Sequence, residues 1–297
     1  MNSPPLFKFL DPHGAKLTLG NGTFKHAKPS DFNDTEDLTI NGVFPGDIED
    51  VLIELQQNFI GVVIRHLDCE PTCALPMRKK LRCIQKACKL NPQAEQILRQ
   101  ELIEAQEDIF DIDHLKSIAA SFIADVNNFM QGYRVLCVTT DVNSRRMWSE
   151  YAKGHTGVAV RIQPNISKDS IFKLFRKVTY QDVRPSLFDS PTQYLSDSLY
   201  GDKEEVLKRC IDKVIYTKTC KWKHESECRL VVPALPNETP WDTIPYHAEE
   251  ITELYLGTKM LTTDREEIMA FAKMRNPNIV IYLGDGDSED EFWVSKA

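Results

Sequence analysis

The stretch Lys218-Thr219-Cys220-Lys221-Trp222-Lys223-His224-Glu225-Ser226-Glu227-Cys228-Arg229-Leu230-Val231-Val232 concentrates groups able to do chemistry. Read as a strand beyond Trp222, it sets Glu225, Glu227 and Arg229 two apart and on one face, because successive strand side chains alternate. Ser226, Cys228 and Leu230 then fall on the opposite face, toward an apolar core. Two carboxylates and a guanidinium in one row form either a self-paired surface ladder or the floor of a polar site. Arg229 would keep one glutamate ionised by pairing with it.

A second constellation lies between Cys137 and Arg161. It reads as strand, short helix, tight turn and strand, with Asn143 or Ser144 as N-cap and Gly154 as the C-terminal stop. Trp148 and Tyr151 are three apart on that helix, hence on one face, and His155 lies just past the glycine. Two aromatics and an imidazole at such a corner either line a pocket for a planar ligand or pin the helix to the sheet.

Other elements must position these groups. Residues 5–10 and Thr23–Ala27 read as short strands around a glycine-rich turn, followed by the polar loop 29–37. From Asp47 to Met130 the pattern is helical, with Ile48, Val51, Leu52, Leu55, Phe59 and Val62 at three- and four-residue intervals. Further strands are read at 133–139, 157–162, 175–180, 251–256 and 279–283, and helices at 194–215 and 264–273. Strands and helices do not alternate in a βαβ rhythm, so the expected class is α+β, with mixed or antiparallel sheets of short strands. The expected organisation is a core domain from 1–46 and 131–297, interrupted by a helical insertion at 47–130.

The 297 residues, 42% hydrophobic and 27% charged, suffice for a sizeable core. A net charge of −8 speaks against nucleic-acid binding by bulk electrostatics, and the local run Arg78-Lys79-Lys80-Leu81-Arg82 reads either as a local basic patch or as the solvated face of a helix. There is no apolar run of membrane-spanning length and no signal-like start, so a cytoplasmic location is expected. Cys69, Cys73, Cys83 and Cys88 lack the two-residue spacing of zinc knuckles and read as reduced thiols; no metal site is expected. No glycine-rich phosphate loop precedes a helix, which excludes P-loop and Rossmann chemistry.

Four pieces in this order resemble the bacterial family known as domain of unknown function 2971. They are Leu6-Phe7-Lys8-Phe9 followed by Phe32-Asn33-Asp34; Met147-Trp148-Ser149-Glu150-Tyr151 with His155-Thr156-Gly157-Val158; Lys218 with Trp222, Glu225, Glu227 and Arg229; and Ile251-Thr-Glu-Leu-Tyr-Leu-Gly257. Thr35 stands where the family usually has proline, which implies a less rigid loop here. More remotely, the layout is similar to the ADP-ribosyltransferase fold, a split sheet that binds NAD in its cleft. That resemblance implies Glu225 and Glu227 as catalytic carboxylates, and Lys8, Asn33, Trp148, Tyr151, His155 and Arg229 as NAD-binding residues. Lysine at position 8 departs from the histidine or arginine of that superfamily. The implied reaction is cleavage of the ribose–nicotinamide bond of NAD, consumed as a substrate, with an unidentified macromolecular acceptor or water. A toxin or phage-defence effector is the implied setting. The alternatives are a non-catalytic nucleotide- or protein-binding module, and a hydrolase with His155 as base beside Asn33 and Asp34.

Overall fold

The computed structural model describes residues 4–40, 42–91, 93–104, 112–236, 241–284 and 295–296. The chain forms two compact units, each assembled from separate segments. The first gathers residues 1–37, 130–183 and 218–297; the second gathers 38–129 and 184–217. The second unit thus takes in the helical block read from the sequence and adds the later segment 184–217.

The first unit is built on a ten-stranded sheet. Its strands are β1 (Leu6–Leu10), β2 (Thr23–Ala27), β3 (Tyr133–Thr139), β4 (Val158–Ile162), β5 (Arg176–Lys177), β8 (Glu227–Pro233), β9 (Trp241–Pro245), β10 (Ile251–Leu256), β11 (Val280–Leu283) and β12 (Ser295–Lys296). The order is β12-β11-β10-β4-β1-β3-β2-β9, with β8 on β3 and β5 on β8. All pairings are antiparallel except that of β10 with β11, so the class is α+β with a mixed sheet. Two further strands, β6 (Thr179–Gln181) and β7 (Thr217–Thr219), pair separately.

Strand β3 meets three neighbours. β8 follows it for seven residues, while β1 touches it at Thr139 and β2 at Val135. Between those two points the Cys137 carbonyl accepts a hydrogen bond from Lys8 Nζ at 2.9 Å. A backbone acceptor at the divergence of β1 and β2 is thereby satisfied by a side chain.

Alternation gives the sheet two unlike faces. One carries Leu6, Leu136, Val138, Val160, Cys228, Leu230 and Leu254, and forms the main core with helix residues Ala15, Leu19, Ile268 and Ala272. The helices responsible are Pro12–Asn21 and Thr262–Arg275. The first replaces the turn expected between β1 and β2. Asp11 caps it by accepting from Gly14 N at 2.6 Å, Pro12 takes the first turn, and Gly22 closes it at φ 69°. The other face carries Phe7, Phe9, Ala159 and Tyr255 beneath Met147 and Trp148.

His26, in register with Asp242, shares the core face and is fully buried, with no hydrogen-bond partner at either ring nitrogen among the described residues. Burial, reinforced by the charge on Lys8, pulls its pKa down to about 4. A base depressed below its ordinary 6.5 adds stability in full above that value and loses it as the pH falls to about 4. His26→Leu should therefore flatten the stability profile between pH 6.5 and 4 in urea titrations. An unchanged slope would refute the assignment.

The second unit is helical, with Ile48–Arg65, Leu75–Leu90, Ala94–Glu104, Pro191–Tyr200 and Lys203–Ile215. Ile112–Met130 runs on to its boundary. Val51, Leu55, Val62, Val63 and Leu81 pack with Leu195 and Leu199, which explains why the later segment belongs here. A tilted and edge-on trio of Phe44, Phe188 and Tyr194 completes this core.

Candidate active site

The segment around Trp222 is not the continuous strand its sequence suggests. Cys220–Glu225 form a 3-10 turn, Ser226 is left-handed at φ 45°, and β8 begins only at Glu227. The sequence pattern fails because a strand and a turn–αL–strand both bring alternate residues to one side. Glu225 is therefore delivered by a turn and Glu227 by a strand, and the two carboxylates converge on one cation.

That cation is Lys218. Its ammonium lies 2.6 Å from Glu225 Oε2, 3.3 Å from Glu227 Oε2 and 3.2 Å from Asp37 Oδ2. Arg229 grips Glu227 through Nε at 2.7 Å and Nη2 at 3.0 Å, and Nη2 also reaches Asp37 at 2.6 Å. The Glu227 amide donates to Tyr180 Oη at 2.9 Å. Lys218, Glu225, Glu227, Arg229 and Asp37 are all buried, with Arg229 wholly enclosed. Three carboxylates face two cations, leaving a formal charge of −1 in the group.

The two glutamates differ in their surroundings. Burial alone would raise the Glu227 carboxyl, but the Arg229 guanidinium and Lys218 outweigh it and bring it down to about 2. Glu225 instead accepts from Tyr151 Oη at 2.5 Å, and Tyr151 Oη accepts from the exposed Asn33 amide at 3.0 Å. A relay thus runs from solvent to a buried carboxylate. Burial and the Glu225 carboxylate push the Tyr151 hydroxyl well above its usual range, so it stays a donor. Lys218 also sits 4.8 Å from the centre of the Trp222 ring. At the rim, the exposed Lys221 lies 3.6 Å from Asp34 and 3.5 Å from Glu36.

Of the residues expected to form the site, Glu225, Glu227, Arg229, Tyr151 and Asn33 come together. Trp148 does not join them. It is fully buried, donates its indole N–H to Val142 O at 2.8 Å and meets Phe9 edge-on. The 145–150 helix, capped by Ser144, ends before Tyr151, which frees the phenol to turn toward Glu225. His155, at φ 67°, stacks on the far-spaced Trp148 ring at 6.2 Å rather than bonding to the cluster.

Lys8 lies on the opposite face of the sheet. Phe7 pairs with Thr139 and Thr139 with Glu227, so the adjacent Lys8 points to the core side. Burial lowers its pKa, with the cluster's carboxylates opposing that fall through the sheet.

Lys218, Asp37 and Tyr180 complete the cluster without having been singled out as site residues. Lys218 heads the motif that holds Trp222, Glu225, Glu227 and Arg229 but was given no role at the site, Asp37 was visible only as a charge in the polar loop, and nothing in the spacing of Tyr180 marks it. The motif glycines have a different explanation. A Cβ on Gly157 would lie 2.1 Å from Leu10 O, and one on Gly257 would lie 2.2 Å from His155 O. These two backbones meet, with Gly257 N donating to Gly157 O at 2.9 Å, and only glycine fits there.

Comparison with known proteins returns one family. Residues 147–230 match the family described as Protein of unknown function (DUF2971). No curated protein and no solved structure matches the chain. The resemblance to domain of unknown function 2971 therefore holds from Met147 to Leu230, the stretch that supplies Tyr151, Tyr180, Lys218, Glu225, Glu227 and Arg229 to the cluster.

Proposed function

We propose that the cluster is the reaction centre of an enzyme that breaks the ribose–nicotinamide bond of NAD, with Glu225 as the working carboxylate. The observation that carries this reading is the asymmetry of the two glutamates. Glu227 is gripped on both oxygens by Arg229 and Lys218, whereas Glu225 is tied to a tyrosine hydroxyl that leads to solvent.

The chemistry suits a buried group of formal charge −1. In the cleavage the electron pair of the C1′–N bond leaves with nicotinamide, and the positive charge passes from the pyridinium to the ribose. A carboxylate held against that ribose stabilises the oxocarbenium character, as in glycoside hydrolysis. Water or an acceptor hydroxyl or amine then adds at C1′ and releases one proton, which a carboxylate can take. With water the products are nicotinamide, ADP-ribose and that proton. Tyr151 and Asn33 orient Glu225, and Arg229 and Asp37 fix Glu227 so that Lys218 stays placed between the two glutamates.

A non-catalytic module that binds a nucleotide or a protein is the second reading. It is favoured by the completeness of the Glu227–Arg229–Asp37 pairing, which a purely structural ion group would also show. The protein incubated with NAD, with and without cell lysate as a source of acceptors, separates the two. Released nicotinamide supports the enzyme. Silence under both conditions sinks it in favour of the module.

A further inference from the structure

We propose that the helix Leu75–Leu90 of the second unit is a docking surface for a nucleic-acid phosphate backbone. In a chain of net charge −8, this helix carries Arg78, Lys79, Lys80, Arg82, Lys86 and Lys89 and no acidic residue. Lys79, Arg82, Lys86 and Lys89 follow one another at steps of three, four and three, which places them on one helical face. From Lys79 to Lys89 the stripe runs about 15 Å along the helix, a length that covers several successive phosphates.

The rest of the helix determines what such a stripe can bind. Leu81 is fully buried in the core of the second unit and Gln85 is buried beside it, donating to His66 O at 2.7 Å and Cys69 O at 2.9 Å. Leu75, Met77 and Leu90 are exposed at the two ends, but the central turns have their inward face already used, and between Arg78 and Lys89 the outward side offers mainly cations. A membrane-lying helix needs its apolar face free; a phosphate track needs only the charges.

Lys79, Lys80 and Lys86 are exposed and form no ion pair with described residues. Arg82 pairs with Glu70, and Lys89 with Asp68 at 2.8 Å. Both pairs are solvent-exposed and therefore weak, so a phosphate displaces the carboxylates at little cost. The acidic remainder of the chain repels nucleic acid, which confines contact to this helix and sets the orientation of approach.

The test uses the full chain and fluorescence anisotropy with a labelled mixed-sequence single strand and a duplex of the same sequence. Binding is expected at 50 mM salt, with affinity falling as roughly the third power of salt concentration for four phosphate contacts. The triple variant K79Q/K80Q/K86Q, with an unchanged thermal melt, should bind at least tenfold more weakly and with a shallower salt dependence. Glu225→Gln should bind like the wild type, which keeps this surface separate from the proposed reaction. Absence of binding at 50 mM salt, or equal binding by the triple variant, overturns the proposal. Retention on phosphatidylserine vesicles without oligonucleotide binding overturns it in favour of a membrane surface.

Discussion

Arg229→Met should lower the unfolding free energy by about 3–5 kcal/mol, the usual loss when one member of a buried ion group is removed. The guanidinium is fully enclosed and is shared by Glu227 and Asp37. Without it, the three buried carboxylates Asp37, Glu225 and Glu227 keep Lys218 as the one cation of the cluster. Arg229→Lys keeps the charge but loses the two-point grip, so its loss should be intermediate. The pH profile provides a second readout. A carboxyl held at about 2 instead of 4.5 adds stability in full above pH 4.5 and loses it as the pH falls toward 2. In the methionine variant the Glu227 carboxyl moves back toward 4.5, so the fall of stability between pH 4.5 and 2 should flatten. A change of less than 1 kcal/mol in urea unfolding at neutral pH would show that the cluster does not hold the sheet together.

The second large effect is catalytic. Glu225→Gln should reduce nicotinamide release at least a hundredfold while costing little stability. Glutamine keeps the shape and can still accept from Tyr151, and Lys218 retains Asp37 and Glu227 as partners. Removing a single electrostatic group of a reaction centre typically costs about 10²–10³ in rate. Glu227→Gln should behave in the opposite proportion, losing mainly stability, because that carboxylate is committed to Arg229. Equal activity in Glu225→Gln and wild type would remove Glu225 from the mechanism, whatever the wild-type rate.

The elements that depend on local patterning were readable in the sequence, and those set by long-range packing were not. Tyr133–Thr139 and Ile251–Leu256 are strands as their β-forming composition requires, and Ser144 caps the short helix before Gly154. The Asp11-Pro12 start and the Gly22 stop could have revealed the first helix, but His13, Gly14 and Gly20 between them weaken its pattern. The 3-10 turn at Cys220–Glu225 was hidden because its charges alternate as a strand's would. Which aromatic serves the site was equally illegible. Trp148 and Tyr151 look equivalent by spacing, yet the helix ends between them and sends one to the core and the other to Glu225. Lys8 was misplaced for a similar reason, since a one-residue step along β1 decides which face a side chain joins.

The discontinuous make-up of the first unit bears on how the protein emerges from the ribosome. Residues 6–10 form β1, whose five-residue partner is 158–162, with one further strand pair at Thr139. At translation rates of about 5–20 residues per second, some 150 residues of delay amount to roughly 8–30 s. During that interval Leu6, Phe7 and Phe9, all buried in the finished protein, have no sheet to enter. The helices of 48–129 can form meanwhile from local contacts, although Leu195 and Leu199 reach them only later. Strand β1 thus waits through some 150 residues of synthesis for its main partner, and β2, paired along its length with 241–245, waits longer still; until then both are exposed to chaperones and to self-association.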